Sequence, residues 1–292
     1  MPIQYLMNAL AVSCFIEYPH TVFNVVGLIL SVGIVNGIAM ATAHELNHAS
    51  SLFLNRLFSV LISAPTFYGQ FLVEHNIGHH VKVATPEDPA SARLGESFWT
   101  FGVRSIMMGF ISAVKYETKR VCSNIRNILN SKLLQGWLCS AFLVWFTYLA
   151  GGRSAVVFYA AQAIVGMFLL EVVNYIEHYG LLREKINGEY EPCTPQHSWN
   201  SNKLVTNIGL FNLQRHSDHH ANPTRPYEML RHIPDSPQHP SGYAAMIVLA
   251  LVPPLWFRVM DPRVVALYGG DVSKANLHPG KLKKLKRRFQ SQ

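Results

Sequence analysis

Charge is scarce in this chain. Only 14% of its 292 residues are Asp, Glu, Lys or Arg, against roughly 25% in an ordinary soluble protein, so polar surface is too sparse to cover a large soluble core. Cysteine is scarcer still. Cys14, Cys122, Cys139 and Cys193 are scattered with no C-x-x-C pair, which excludes a zinc ribbon, a fused four-cysteine iron domain and a disulfide framework. No G-x-G-x-x-G fingerprint or flavin motif is found, so direct use of a dinucleotide is not expected. The N-terminus has neither a basic n-region nor a small-residue cleavage site, so no signal peptide is read there. There is no internal repeat. The only run of charge is "KLKKLKRRF" at 281–289, which reads as a solvated tail attracted to anionic lipid. No basic face separates from that pattern, so the net charge of +8 does not point to nucleic acid.

Where charge is missing, long apolar runs take its place. Residues 21–43 contain no ionisable side chain before His44, and "LLQGWLCSAFLVWFTYLA" (133–150) and "SAVVFYAAQAIVGMFLL" (154–170) flank a short "GGR" break. About 20 apolar residues cross a bilayer as a helix. The expected fold is therefore all-α: one polytopic transmembrane helix bundle over residues 1–292, with spans near 4–20, 21–43, 133–150 and 154–175. Residues 74–132 carry Lys82, Arg93, Arg104, Lys115, Lys119, Arg120, Arg126 and Lys132, whereas the break between the later spans carries Arg153 alone. That asymmetry predicts a cytoplasmic 74–132 and an outer 151–153. Parity then makes 52–72, broken by "SAPTFYG", and 243–257, broken by Pro253-Pro254, re-entrant or interfacial. Non-spanning backbone at that depth has to be buried against protein.

The histidines are concentrated. Nine of fourteen fall in "HELNH" (44–48), "EHNIGHH" (74–80), "NYIEHYG" (174–180) and "LQRHSDHH" (213–220), and the topology brings all four stretches to the cytoplasmic ends of the helices. His44 and His48 stand at i, i+4, as do His75 and His79, with His80 adjacent; His216, His219 and His220 share one face if helical. With His178 the set exceeds what one ion takes, and two ions fit. Imidazole suits iron, zinc, copper or nickel, so ligand type does not choose. Glu45, Glu74, Glu177 and Asp218 accompany the histidines, as orienting partners of ligand imidazoles or as direct or bridging ligands. Asn174 and His197 join them as candidates near the site. His20, His232, His239 and His278 are expected to be solvated or hydrogen-bonded. H-E-x-x-H alone is a zinc-protease signature, but a protease leaves seven clustered histidines unexplained. A metal transporter calls for ionisable groups along the spans, and here they gather at one membrane face.

Together, "HELNH", "EHNIGHH", "NYIEHYG" and "LQRHSDHHANPTRPY" resemble the four histidine motifs of the membrane-bound alkane 1-monooxygenases, within the wider desaturase and hydroxylase superfamily. "VATPEDPASARLGESF" (83–98) and "PQHSWNSN" (195–202) extend the resemblance over nearly the whole chain. Xylene monooxygenase is the nearest alternative, followed by fatty-acyl hydroxylases and desaturases. The resemblance implies two non-haem irons held by His44, His48, His75, His79, His80, His178, His216, His219 and His220. It also implies insertion of one atom of O2 into the terminal methyl of a medium- or long-chain alkane. Rubredoxin, reduced by an NAD(P)H-dependent reductase, is the implied electron donor, and the cell inner membrane the implied location. Three features depart from the family pattern. Asn47 and Ala49 replace an apolar and a basic residue, and Pro226 replaces an arginine. Family members generally carry two further N-terminal helices, so a fragment or a shortened member is expected.

Overall fold

The structure is a computed structural model that describes residues 1–18 and 21–289. His20 and the last two positions of the expected 4–20 span thus lie outside the described residues. Helices dominate: α1 (Pro2–Glu17), α2 (Val22–His48), α3 (Phe53–Ser63), α4 (Phe71–Glu74), α5 (His80–Lys82) and α6 (Phe98–Ser123). They are followed by α7 (Lys132–His178), α8 (Leu204–Gly209), α9 (His216–Ala221), α10 (Tyr243–Ala250), α11 (Pro253–Leu267) and α12 (Leu282–Phe289). The single domain expected from the sequence is built as two compact units. One comprises residues 1–76 and 110–170, the other 77–109 and 171–292.

Among the described residues, α2 and α7 are the helices long and apolar enough to cross a membrane. The Thr21 hydroxyl caps α2 by accepting from the Asn24 amide. At 1.5 Å per residue its 27 residues measure about 40 Å, more than the roughly 30 Å of a hydrocarbon core. Helix α7 is broken at Gly152, whose φ of 66° and ψ of −155° are not helical, so the "GGR" break divides it into the two expected segments. Between α3 and α4 the chain tightens through a 3-10 turn at Ala64–Thr66 and a left-handed Phe67. This is the interruption expected within 52–72.

Small residues let α2 and α7 pack closely. A Cβ on Gly33 would stand 2.5 Å from the Val165 Cβ, and one on Gly37 2.8 Å from that of Leu169. Glycines four apart are a recurrent contact surface between membrane helices. Four buried carboxamides then tie three helices together. Asn36 donates to Asn8 (3.0 Å) and Gln162 (2.6 Å), Gln4 and Asn8 donate back to the Asn36 Oδ1, and Gln162 donates to the Pro65 carbonyl. Buried away from water, these groups have to satisfy one another. The outside of this unit is apolar: Phe23, Ile34, Ile38, Phe142, Trp145 and Val157 are all exposed. Such an exterior suits lipid better than water.

The second unit is built around Trp199, Trp256, Tyr175, Tyr179, Tyr243 and Phe98, all nearly inaccessible. A two-residue hairpin joins β1 (Lys185–Ile186) to β2 (Glu189–Tyr190) through Asn187 and Gly188, both at positive φ, as a primed turn requires. Pro253 and Pro254 open α11, where the missing amide hydrogens cost nothing, so the expected 243–257 segment is divided between α10 and α11, and α11 runs on to Leu267. The expected tail at 281–289 contains α12.

Candidate metal centre

Two sets of imidazoles converge, and each is built by local helical geometry. In the first unit His44 and His48 occupy the last two turns of α2, and His75 follows α4. The His48 Nε2 lies 3.3 Å from the His44 Nε2 and 3.1 Å from that of His75. Asn47 anchors this end of α2. Its amide donates to the Leu72 carbonyl and to Asn76 (both 3.0 Å), and its oxygen accepts from the Lys132 Nζ at 2.7 Å. Asn47 therefore fixes the histidine-bearing end of α2 against the chain that carries His75.

In the second unit ring nitrogens, one each from His79, His178, His216 and His220, lie within 4.8 Å of one another, and all four residues are buried. His216 and His220 are i, i+4 on α9, with Nε2 atoms 2.9 Å apart, and the His178 Nε2 stands 3.1 Å from that of His216. Hydrogen bonds fix the tautomers. The His178 Nδ1 donates to the His197 carbonyl (3.2 Å) and the His79 Nδ1 to Asp88 (2.9 Å), so the Nε2 of each is the lone-pair side. Burial pushes the Asp88 carboxyl up, but His79 and the Ser91 hydroxyl outweigh it and hold it below the usual range. Burial and the surrounding imidazoles push His220 far below the usual histidine value. His220 is therefore held neutral, the form that binds metal.

These contacts fit cations. Two nitrogens bound about 2.1 Å from one ion stand about 3 to 3.4 Å apart, and the Nε2 pairs lie at 2.9–3.3 Å. Lone pairs held face to face in a buried site repel unless a cation or proton lies between them. His80 and His219 flank the second set, with ring centroids 4.9 Å apart, and His80 stacks on His220 at 4.3 Å.

A local irregularity divides the "EHNIGHH" histidines. Residues His75–His79 form a π-helical turn, wider than an α turn and frequent at functional sites. The i, i+4 spacing of His75 and His79 therefore does not put them on one α-helical face. His75 joins the His44–His48 set, and His79 the His178–His216–His220 set.

The acidic candidates differ in their partners. The Glu177 Oε2 lies 3.1 Å from the His216 Nε2, and its Oε1 accepts from the Tyr243 hydroxyl at 3.0 Å. Asp218 is bound by Arg225, by the Arg231 amide (2.8 Å) and side chain (3.1 Å), and by Asn222 (3.0 Å). It ties α9 to the chain that follows. Glu74 is buried and Glu45 half-buried, and Asn174 donates to Glu171 at 3.2 Å. His197 reaches the site through its carbonyl, while its ring pairs with Glu191 at 3.3 Å and accepts from the Thr194 amide.

Three participants escape sequence reasoning: Asp88, Tyr243 and Asn200. Asn200 is buried and accepts from the Ser217 amide at 2.7 Å, holding the first turn of α9. Asp88 and Asn200 lie inside "VATPEDPASARLGESF" and "PQHSWNSN", so those stretches carried the signal. Tyr243 had none.

Residues 20–250 match the family model described as Fatty acid desaturase. Over 292 residues the chain is 43% identical to the alkane 1-monooxygenase of Acinetobacter baylyi, covering 99% of this chain and 71% of that protein. It is 48% identical over 250 residues to alkane 1-monooxygenase 1 of Pseudomonas aeruginosa, covering 84% and 65%. Similarity extends to the hydroxylase component of the xylene/toluene monooxygenase of Pseudomonas putida, 30% identical over 243 residues, with 81% and 63% covered.

Proposed function

Since the chain belongs to the fatty acid desaturase family, in its alkane 1-monooxygenase group, we propose that it hydroxylates the terminal carbon of medium- or long-chain alkanes, using O2. The observation that carries this reading is the pair of converging all-imidazole sets, three histidines in one unit and four in the other. Two non-haem irons would be held by His44, His48, His75, His79, His80, His178, His216, His219 and His220. A bound iron pair supplies the reductive activation of O2 that breaks an unactivated C–H bond.

The protein's own residues orient and enclose. Asp88 and the His197 carbonyl fix the tautomers of His79 and His178, and Tyr243 holds Glu177 beside His216. Outer partners of this kind set ligand orientation and basicity. Burial of His79, His178, His216 and Asp218 excludes water from the reacting region, and a substrate held in register gains the advantage of proximity. An alkane partitions into the bilayer, so it needs no aqueous route to helices with an apolar exterior.

Electrons would come from rubredoxin and its NAD(P)H-dependent reductase, as the resemblance to the family implies. A multi-pass placement in the cell inner membrane, with the site towards the cytoplasm, is supported by α2 and α7 and by the cations of 74–132. A second reading, attack on a methyl group attached to an aromatic ring, is favoured by the similarity to the xylene/toluene enzyme. Purified protein supplied with rubredoxin, its reductase, NADH, labelled O2 and either an n-alkane or xylene separates the two. A 1-alkanol carrying one labelled oxygen is the expected product. Benzylic alcohol alone would favour the second reading, and no alcohol from either substrate would overturn both.

A further inference from the structure

The C-terminal helix is tied to a residue adjoining a metal ligand. Asp261, on α11, is 1% exposed and lies far along the chain from any histidine motif. Its Oδ1 accepts from the Tyr179 hydroxyl at 2.7 Å, and its Oδ2 accepts from the Arg288 guanidinium of α12 at 3.0 Å. The Tyr179 oxygen in turn accepts from the Gly95 amide at 2.8 Å, and the Gly95 carbonyl accepts from the Lys281 Nζ at 2.6 Å. Leu285 is buried between these two polar ties, close enough to Gly95 that a Cβ there would stand 3.2 Å from its Cδ1. Helix α12 and the residue that precedes it are thus clasped on at three points.

Tyr179 follows His178 directly, where α7 ends and Gly180 turns the chain at a φ of +74°. Its ring packs against Tyr175 and Trp256, and its carbonyl accepts from the Trp199 indole at 2.9 Å. Because Tyr179 is joined directly to His178, whatever holds Tyr179 bears on the last turn of α7. A carboxylate as buried as Asp261 is costly unless paired, and Arg288 is its cationic partner. Arg288 itself is partly exposed, so its removal leaves the buried carboxylate uncompensated, whereas removal of both charges does not.

We propose that Asp261 is a positioning residue for the metal centre, and that α12, through Arg288, clasps it in place so that Tyr179 fixes the aim of His178. The proposal rests on the reading of His178 as a ligand. It assigns the basic tail a task beyond attraction to lipid.

The test uses the full chain in detergent, loaded with Co(II), whose visible spectrum reports ligand geometry. Release to excess chelator is followed in wild type, Tyr179→Phe, Arg288→Ala, Arg288→Lys and the Asp261→Asn/Arg288→Ala double variant. Tyr179→Phe keeps the ring packing and removes only the hydroxyl. It and Arg288→Ala are expected to release cobalt roughly tenfold faster, the lower end of what outer partners of a metal site contribute, with an altered spectrum. Arg288→Lys should restore most of the retention, and the double variant should outlast Arg288→Ala alone. Wild-type spectrum and release rate in both Tyr179→Phe and Arg288→Ala would overturn the proposal, as would loss of folding in Arg288→Ala that neither Arg288→Lys nor the double variant relieves. Wild-type protein that takes up no cobalt would instead count against the metal-centre reading itself.

Discussion

Replacing Asp88 with Asn probes the most completely defined contact of the metal centre. The carboxylate is 1% exposed and fully engaged. Its Oδ2 accepts from the His79 Nδ1 at 2.9 Å and from the Ser91 hydroxyl at 2.6 Å, and its Oδ1 accepts from the Ala90 amide at 3.0 Å. Asparagine retains one acceptor oxygen but presents an NH2 where the other stood. Either His79 or Ala90 then faces a donor, and the Ala90 amide has no freedom to turn. The imidazole is the group that yields. It loses the acceptor that makes its Nδ1 the protonated nitrogen, so the fraction with Nε2 free to bind metal falls. Outer partners of ligand histidines are worth about 10- to 100-fold in metal affinity, or about 1.4 to 2.7 kcal/mol. A chelator competition on Asp88→Asn should therefore show iron held 10- to 100-fold more weakly, and circular dichroism should show the helical content unchanged. Asp88→Ala should fare worse, because it also strands the Ala90 amide, at a cost of about 1–3 kcal/mol. Wild-type iron retention in Asp88→Asn would refute the tautomer argument.

Three further outcomes are expected. Burial pushes Asp261 from the ordinary 3.8 up to about 6. Protonated Asp261 is therefore favoured by the fold, and its contribution to stability is full below about pH 3.8 and lost as pH rises through about 6. The stake is on the order of 3 kcal/mol, so the melting temperature of wild type relative to Asp261→Asn should rise as pH falls across that window; a constant difference would contradict it. Turnover at limiting rubredoxin should fall with ionic strength as the Debye length shrinks to about 3 Å at 1 M, and Lys119→Glu should raise the rubredoxin requirement. Lys119 is the better probe than Arg120, which is taken up by Glu117 at 2.8 Å, and salt-independent turnover would remove the cationic dock. A reporter fused at Gly152 should be active only outside the cytoplasm; cytoplasmic activity would invert the topology and remove the common-face argument.

Local spacing made much of the architecture readable in advance. The i, i+4 pairs His44–His48 and His216–His220 converge because a regular helix returns to the same face in four residues. The "GGR" and "SAPTFYG" interruptions are visible because glycine and proline punctuate helices, and the breaks fall at Gly152 and at Ala64–Phe67. The π turn at His75–His79 was not readable. Nothing in its composition distinguishes it from an α turn, yet it divides neighbouring histidines between two sets. Contacts distant along the chain were equally hidden: Tyr243 with Glu177, Asn200 with Ser217, and Arg288 with Asp261. Periodicity constrains neighbours on one helix, whereas these pairs depend on how separate segments dock.

Elemental analysis of the purified, catalytically competent protein tests the central claim most directly, because two histidine sets that each hold one ion predict two ions per chain. Two irons per chain are expected, falling towards one when His216 is replaced by alanine. A single zinc per chain, unaffected by His216→Ala, would contradict the two-iron centre.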